Sequence, residues 1–181
     1  RRGGRLLTPD DPEWPYLAFA SFAGTPVRDK PQGRPPLALW VIGPLQLDEV
    51  AGRAAAIVGT RAATAYGEHV AADLSAGLAE HDVAIVSGGA YGIDGAAHRA
   101  ALATDGVTVA VLAGGVDVLY PAGHSALLHR IANNGLLISE YPPGVRPARH
   151  RFLTRNRLVA ALAGATVVVE AGLRSGAAST A

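Results

Sequence analysis

Ser87-Gly88-Gly89-Ala90-Tyr91-Gly92-Ile93-Asp94-Gly95-Ala96-Ala97-His98 holds glycines, a hydroxyl, a carboxylate and an imidazole within twelve residues, between a β-branched run and an Ala-rich one. Glycine lets the backbone approach a ligand with positive φ, and the N–H groups that open a helix point at anionic oxygen, so the segment reads as a phosphate-cradling strand-to-helix turn. Ser87, Gly88, Gly89 and Gly92 are the expected N–H donors, and a tight turn that holds no ligand is the plainer alternative. Asp94 and His98 are four apart and share one helix face. A carboxylate beside a phosphate site repels the ligand unless it caps a helix or orients a cation, so Asp94 is assigned a structural duty. His98 either pairs with Asp94 or is a packed or solvated histidine.

Three further apolar runs break in the same way: into Gly59-Thr60-Arg61, into Gly114-Gly115, and into Ser175-Gly176. Such loops in register mark the carboxyl edge of an open parallel sheet, where these folds bind ligands. Arg61 directly follows Gly59, which places a guanidinium where it can fork onto phosphate. From Tyr141 to Val169 there is no acid, while Arg146, Arg149, Arg151, Arg155, Arg157 and His150 are present. That basic patch on a chain of net charge +1 favours a polyanionic partner. Arg155 and Arg157 diverge by about 200° around a helix, so only one can face the loops, and Arg155 or Asn156 is the better choice. Glu170 ends the last strand and could pair with Arg61 or Arg155. Aromatic residues are only 6% of the chain, yet Tyr91, Tyr120, Tyr141 and Phe152 lie beside these loops, where nucleobases could stack.

Other chemistries are excluded or disfavoured. Without cysteine there is no disulfide framework, thiol nucleophile or thiolate metal site, and the six histidines are scattered singly, so neither a metal nor any other cofactor is expected. No apolar run reaches the roughly 18 to 20 residues of a membrane span, and the first ten residues do not form a signal peptide, so a cytoplasmic protein is expected. Ile57-Val58-Gly59-Thr60-Arg61 is not the dinucleotide fingerprint, and no acid ends the second strand to hold a ribose.

The elements that must position these residues follow from periodicity. Strands are expected near residues 55–59, 83–87, 107–112, 136–139 and 165–170, and helices near 66–80, 92–104, 124–133 and 151–163. Strand–helix alternation implies an α/β fold with a doubly wound, mainly parallel sheet. Residues 1–53 hold eight of the twelve prolines. They read as an irregular lead-in, an adjunct with one short strand at 37–43, ahead of a main domain at 54–181. The last residues open what reads as another helix, so the domain is expected to continue beyond Ala181.

The ordered segments AIVGTRAATAYG, SGGAYGIDGAAHRAAL, VAVLAGGVDVLYPAGH, LLISEYPPG, FLTRNRLVAALA and VVVEAGLRSGAASTA resemble the DNA-processing protein A family, also called DprA or Smf. The resemblance covers about residues 54–181, with weaker agreement through Trp14-Pro15-Tyr16-Leu17. It implies a Rossmann-like domain that binds and protects single-stranded DNA and helps load the RecA recombinase in natural transformation. It further implies a homodimer without an established enzymatic reaction. Two departures stand out: Ala122 follows Tyr120-Pro121 where many relatives carry a basic residue, and Ser175-Gly176-Ala177-Ala178 replaces the usual SGSL. The alternative is a nucleotide phosphoribohydrolase of the lysine-decarboxylase-like group, whose PGGxGTxxE segment this chain lacks.

Overall fold

The structure is a computed structural model that describes residues 3–24, 30–172 and 176–180. Five parallel strands form its centre: β3 (Ala54–Val58), β4 (Ala84–Ser87), β5 (Thr108–Val111), β6 (Leu136–Ser139) and β7 (Ala165–Val168). Two strands from the lead-in extend the sheet, β2 (Leu39–Ile42) antiparallel to β6 and β1 (Gly4–Leu7) antiparallel to β2, in the order β1-β2-β6-β5-β4-β3-β7. Each central strand lies within a few residues of its expected position, and so do the helices α3 (Ala65–Ala79), α4 (Ile93–Ala103), α5 (Ser125–Asn134) and α6 (Arg149–Ala161). Two short helices, α1 (Tyr16–Phe19) and α2 (Leu47–Ala51), belong to the lead-in.

The chain steps outward from β3 through β4 and β5 to β6, then returns over the sheet by α6 to place β7 on the other side of β3. Strand order therefore reverses at β3, the position where an open α/β sheet leaves a crevice beyond its carboxyl ends. Because side chains alternate across a strand, one face of the sheet carries Ala56, Val58, Val86, Val111 and Ile138 against Leu158 and Val159 of α6 and Leu162 at its C-cap. Ile57 and Ile85 face the other way, onto Ala71 of α3 and Ile93 and Ala97 of α4. Leu137 and Ala110 meet Leu128 and Ile131 of α5. Each fully buried Ile or Leu contributes about 1.5–3 kcal/mol of transfer free energy.

Small residues set the helix spacing. Gly67, Ala71, Ser75 and Ala79 form the buried stripe of α3, which lets it lie close against α4. Thr64 caps α3 by accepting the Gly67 N–H at 3.0 Å.

The lead-in is woven into the same core. Trp14 packs edge-on to Phe19 with centroids 5.2 Å apart, Phe22 follows at 5.9 Å, and all three join the cluster under α6. Arg5 on β1 pairs with Glu13 at 2.6 Å and donates to the carbonyls of Gly43 and Leu45, which holds β1 in place. The short strand expected at 37–43 is β2, whereas β1 has no counterpart in the sequence reading: four residues containing Gly4 and Arg5 offer no alternation to detect. Among the described residues no helix is long and apolar enough to cross a membrane.

Candidate nucleic-acid interface

The crevice at the strand-order reversal is a cavity of about 1070 Å³. Its floor is the β3–α3 turn, Gly59, Thr60 and Arg61, together with Gly88 and Ala90 of the β4–α4 turn and Asp94 in the first turn of α4. Arg146, Arg149, Phe152, Arg155 and Asn156 form one wall, Val118 and Tyr120 a second, and Gly176, Ala177 and Thr180 close the end.

The two turns are fastened to each other. Ile93 donates its N–H to the Thr60 carbonyl at 3.2 Å, and a Cβ on Gly92, whose φ is +70°, would collide with that carbonyl. Gly59 is needed for a different reason, since a Cβ there would strike the Ile93 side chain and, at 2.7 Å, the Glu170 carbonyl. Thr60 in turn donates its N–H to Glu170 O at 2.6 Å.

Asp94 and Arg155 organise the floor from beneath. Asp94, 6% exposed, accepts the N–H of Gly88 at 3.1 Å and of Ala90 at 3.4 Å. Its structural duty is to hold the turn, and the Gly88 amide expected to meet a ligand is taken by this carboxylate. Arg155, also 6% exposed, donates to the carbonyls of Gly88 at 2.7 Å and of Val111. Gly88 is glycine because a Cβ would lie inside that guanidinium. Burial pushes the Asp94 carboxyl up, opposed by the charge of Arg155 and the amides of Ala90 and Gly88. Burial likewise lowers Arg155, opposed by Asp94. Both charges are solvated by protein rather than water, so together they anchor α6 to the sheet edge.

Arg157 points away from Arg155, as the 200° separation requires. It donates to Arg34 O at 2.8 Å and pairs with Glu140 at 2.6 Å. Asn156 faces the crevice and donates to Gly176 O at 3.0 Å.

The exposed cations behave differently. Arg61 lies over the Phe152 ring, 4.9 Å from guanidinium carbon to centroid, and Phe152 leans on Tyr120 with centroids 5.6 Å apart. Arg61, Phe152 and Tyr120 thus form a stack at the mouth, with Tyr120 47% exposed. Among the described residues the lining carries four arginines, Arg61, Arg146, Arg149 and Arg155, against the one carboxylate of Asp94, which leaves the cavity net positive.

Several expected residues lie outside this lining. Ser87 is fully buried and donates to Ile57 O at 2.6 Å, tying β4 to β3. Gly89, with φ +72°, offers its carbonyl to His124 Nδ1 at 3.0 Å. Tyr91 packs on His124, 4.7 Å between centroids, and Tyr141 carries the Arg151 guanidinium at 5.0 Å. Gly114 and Gly115 admit the 141–147 loop, whose Val145 carbonyl accepts the Gly115 N–H at 2.8 Å. Ser175 lies outside the described residues.

Neither arginine pairs with Glu170, which instead accepts from both the N–H and hydroxyl of Thr64 at 3.0 Å. His98 turns from Asp94 to Thr108 Oγ1 at 2.7 Å, and burial drives its pKa down to about 3. Arg146 and Arg149 were visible as part of the acid-free patch but not as lining residues; their exposure beside Pro147 and Ala148 is what brings them to the wall.

The sequence profile of the family described as DNA recombination-mediator protein A matches residues 5–181. A DNA processing protein DprA of Mycobacterium tuberculosis is 78% identical over 181 residues, which are 100% of this chain and 46% of that protein. The crystal structure of DNA processing protein A from Streptococcus pneumoniae superposes with a TM-score of 0.83 at 33% identity, covering 99% of this chain and 58% of that one. DNA processing protein A from Helicobacter pylori, in a structure that reports its single-stranded DNA binding mode, gives 0.80 at 30% identity, covering 98% and 74%. The chain therefore spans under half the length of that mycobacterial relative. With the Rossmann-like sheet, the glycine-built turns and the arginine-walled crevice all inside the matched region, the chain belongs to the DNA recombination-mediator protein A family, the DprA/Smf proteins.

Proposed function

We propose that the crevice binds single-stranded DNA, with phosphates on Arg61, Arg146 and Arg149 and a base stacked on Phe152 or Tyr120. The observation that carries this reading is the pairing, in one cavity, of exposed arginines with aromatic faces, the combination that sequence-tolerant single-strand binding requires. A duplex keeps its bases stacked on one another, so it can use the cations but not the rings. Gly59, Thr60, Gly88, Asn156 and Gly176 shape the wall and floor. Ser87, Gly89, Tyr91, Gly92, Gly114 and Gly115 support the loops from behind, and Ser175 is retained as a candidate on sequence grounds alone. The single-stranded DNA binding mode reported for the Helicobacter protein supports the choice of ligand.

From the family resemblance we extend the proposal to the whole protein: a cytoplasmic homodimer that protects incoming strands and helps load RecA. No observation favours the phosphoribohydrolase reading, because Glu170, the carboxylate it would need, is bound to Thr64 and is not among the crevice-lining residues.

Fluorescence anisotropy against single-stranded and duplex DNA at two salt concentrations tests the core of the proposal. Single strands bind more tightly, and affinity falls with salt. Arg61→Ala weakens binding to every sequence by about 1–3 kcal/mol, as for a lost charge-assisted hydrogen bond, and leaves the melting temperature nearly unchanged. Arg53→Ala, exposed at the opposite edge of the sheet, changes neither. An Arg61→Ala variant that folds and binds like the parent overturns the placement of the site.

A further inference from the structure

A second cavity, about 480 Å³, lies on the other side of the 114–120 loop. That loop is a shared wall: Val118 and Tyr120 face the arginine crevice, while Asp117 and Leu119 line the second cavity. Its floor is Leu137 of β6 and Ile42 of β2, beside Trp40 and His129. Gly4 stands opposite Ile42 in the β1–β2 register and lines the space without a side chain. The volume is that of a small-ligand pocket, and the composition, apolar surfaces and an indole with a few polar groups, is typical of one.

The chemistry of the lining selects among ligands. Trp40 contributes an indole to the lining and Asp117 a carboxylate. The Asp117 oxygens accept the Gly144 N–H at 2.9 and 3.0 Å, which fixes the side chain while leaving acceptor capacity on both oxygens. A flat, weakly polar ring with an outward N–H₂ donor matches both features, whereas a ring with only a carbonyl at that edge meets a repelling carboxylate. We propose that this cavity is a site for a nucleobase bearing an exocyclic amino group. The shared wall makes a base of the bound strand one source, a point that rests on the single-strand reading, and a free nucleotide the other.

The chain has two tryptophans, and Trp14 is buried in the lead-in core, so Trp14→Phe leaves Trp40 as the sole reporter. Titration with dAMP quenches Trp40 emission saturably, at least tenfold more tightly than dTMP. Ala132→Leu, which fills the cavity from α5, removes the quench while anisotropy with oligothymidylate and far-UV circular dichroism stay at parent values. Asp117→Asn narrows the dAMP to dTMP ratio several-fold and serves alone if the filled variant does not fold. Quenching by oligodeoxyadenylate at far lower concentration than dAMP, weakened in step with strand binding in Arg61→Ala, identifies the strand as source; equal quenching per base identifies the free nucleotide. Absence of saturable quenching, or equal quenching by dAMP and dTMP, overturns the proposal. Quenching by dAMP in a protein that shows no strand binding by anisotropy refutes the crevice reading and leaves this site standing.

Discussion

At the scale of single residues, the site depends on what glycine and two buried charges permit. Gly88→Ala drives a methyl group into the Arg155 guanidinium, 2.5 Å from its central carbon, and that guanidinium is locked on two carbonyls. The expected cost is about 1–3 kcal/mol, as for overpacking, read as a lowered melting temperature and weakened strand binding together. Phe152 poses the converse case. It is half-buried at the crevice mouth, so Phe152→Leu keeps the fold and loses about 1–3 kcal/mol of base stacking, measured by anisotropy with a thermal melt as control. His98 controls behaviour in acid. Its folded pKa of about 3 lies below the unfolded value near 6.5, because burial and the nearby charges of His124, Arg155 and Arg99 disfavour the imidazolium. The unfolded chain therefore binds the extra proton: stability is present in full above about pH 6.5 and is lost as pH falls toward 3. Melts from pH 7 to pH 4 show that decline, and His98→Gln flattens it over the same window.

At the scale of elements, α6 is the decisive helix. Leu158, Val159 and Leu162 seat it on the sheet, Arg155 reaches the carboxyl edge, and Arg157 grips the lead-in through the Arg34 carbonyl and the end of β6 through Glu140. Leu158→Ala, at a residue 1% exposed, costs about 2–5 kcal/mol in a denaturant melt. The helix was legible as a breaker-free run between Pro147 and Gly164, and β3 and β4 as apolar runs that break into glycine ahead of Ala-containing stretches. Divergence of Arg155 from Arg157 was legible too, being a matter of helical pitch. What could not be read was the use of each polar group. Asp94 and the Gly88 amide are six residues apart, but their bond depends on how the turn coils after Gly92. Glu170 and Thr64 are 106 residues apart and meet only because β7 pairs with β3. β1 escaped notice because its place is set by β2 and by Arg5, not by any pattern of its own.

At the scale of the whole molecule, a net charge of +1 conceals a strongly positive crevice, and ionic strength is the probe that separates the two. If Arg61, Arg146 and Arg149 each neutralise one phosphate, log K falls against log salt with a slope of roughly −2, and each single Ala variant reduces that slope by about 0.7. A slope near zero removes the phosphate contacts from the account. The return of α6 across the sheet has a temporal meaning as well. The floor of the crevice comes from two adjacent strand–helix units, which form through contacts near in sequence, whereas Arg155 meets Gly88 across 67 residues. Closing so long a loop is slow relative to forming the local units. The α6 wall is therefore expected to open more readily than those units: hydrogen exchange in α6 and loss of strand binding then share one opening free energy, smaller than that of β3 and β4.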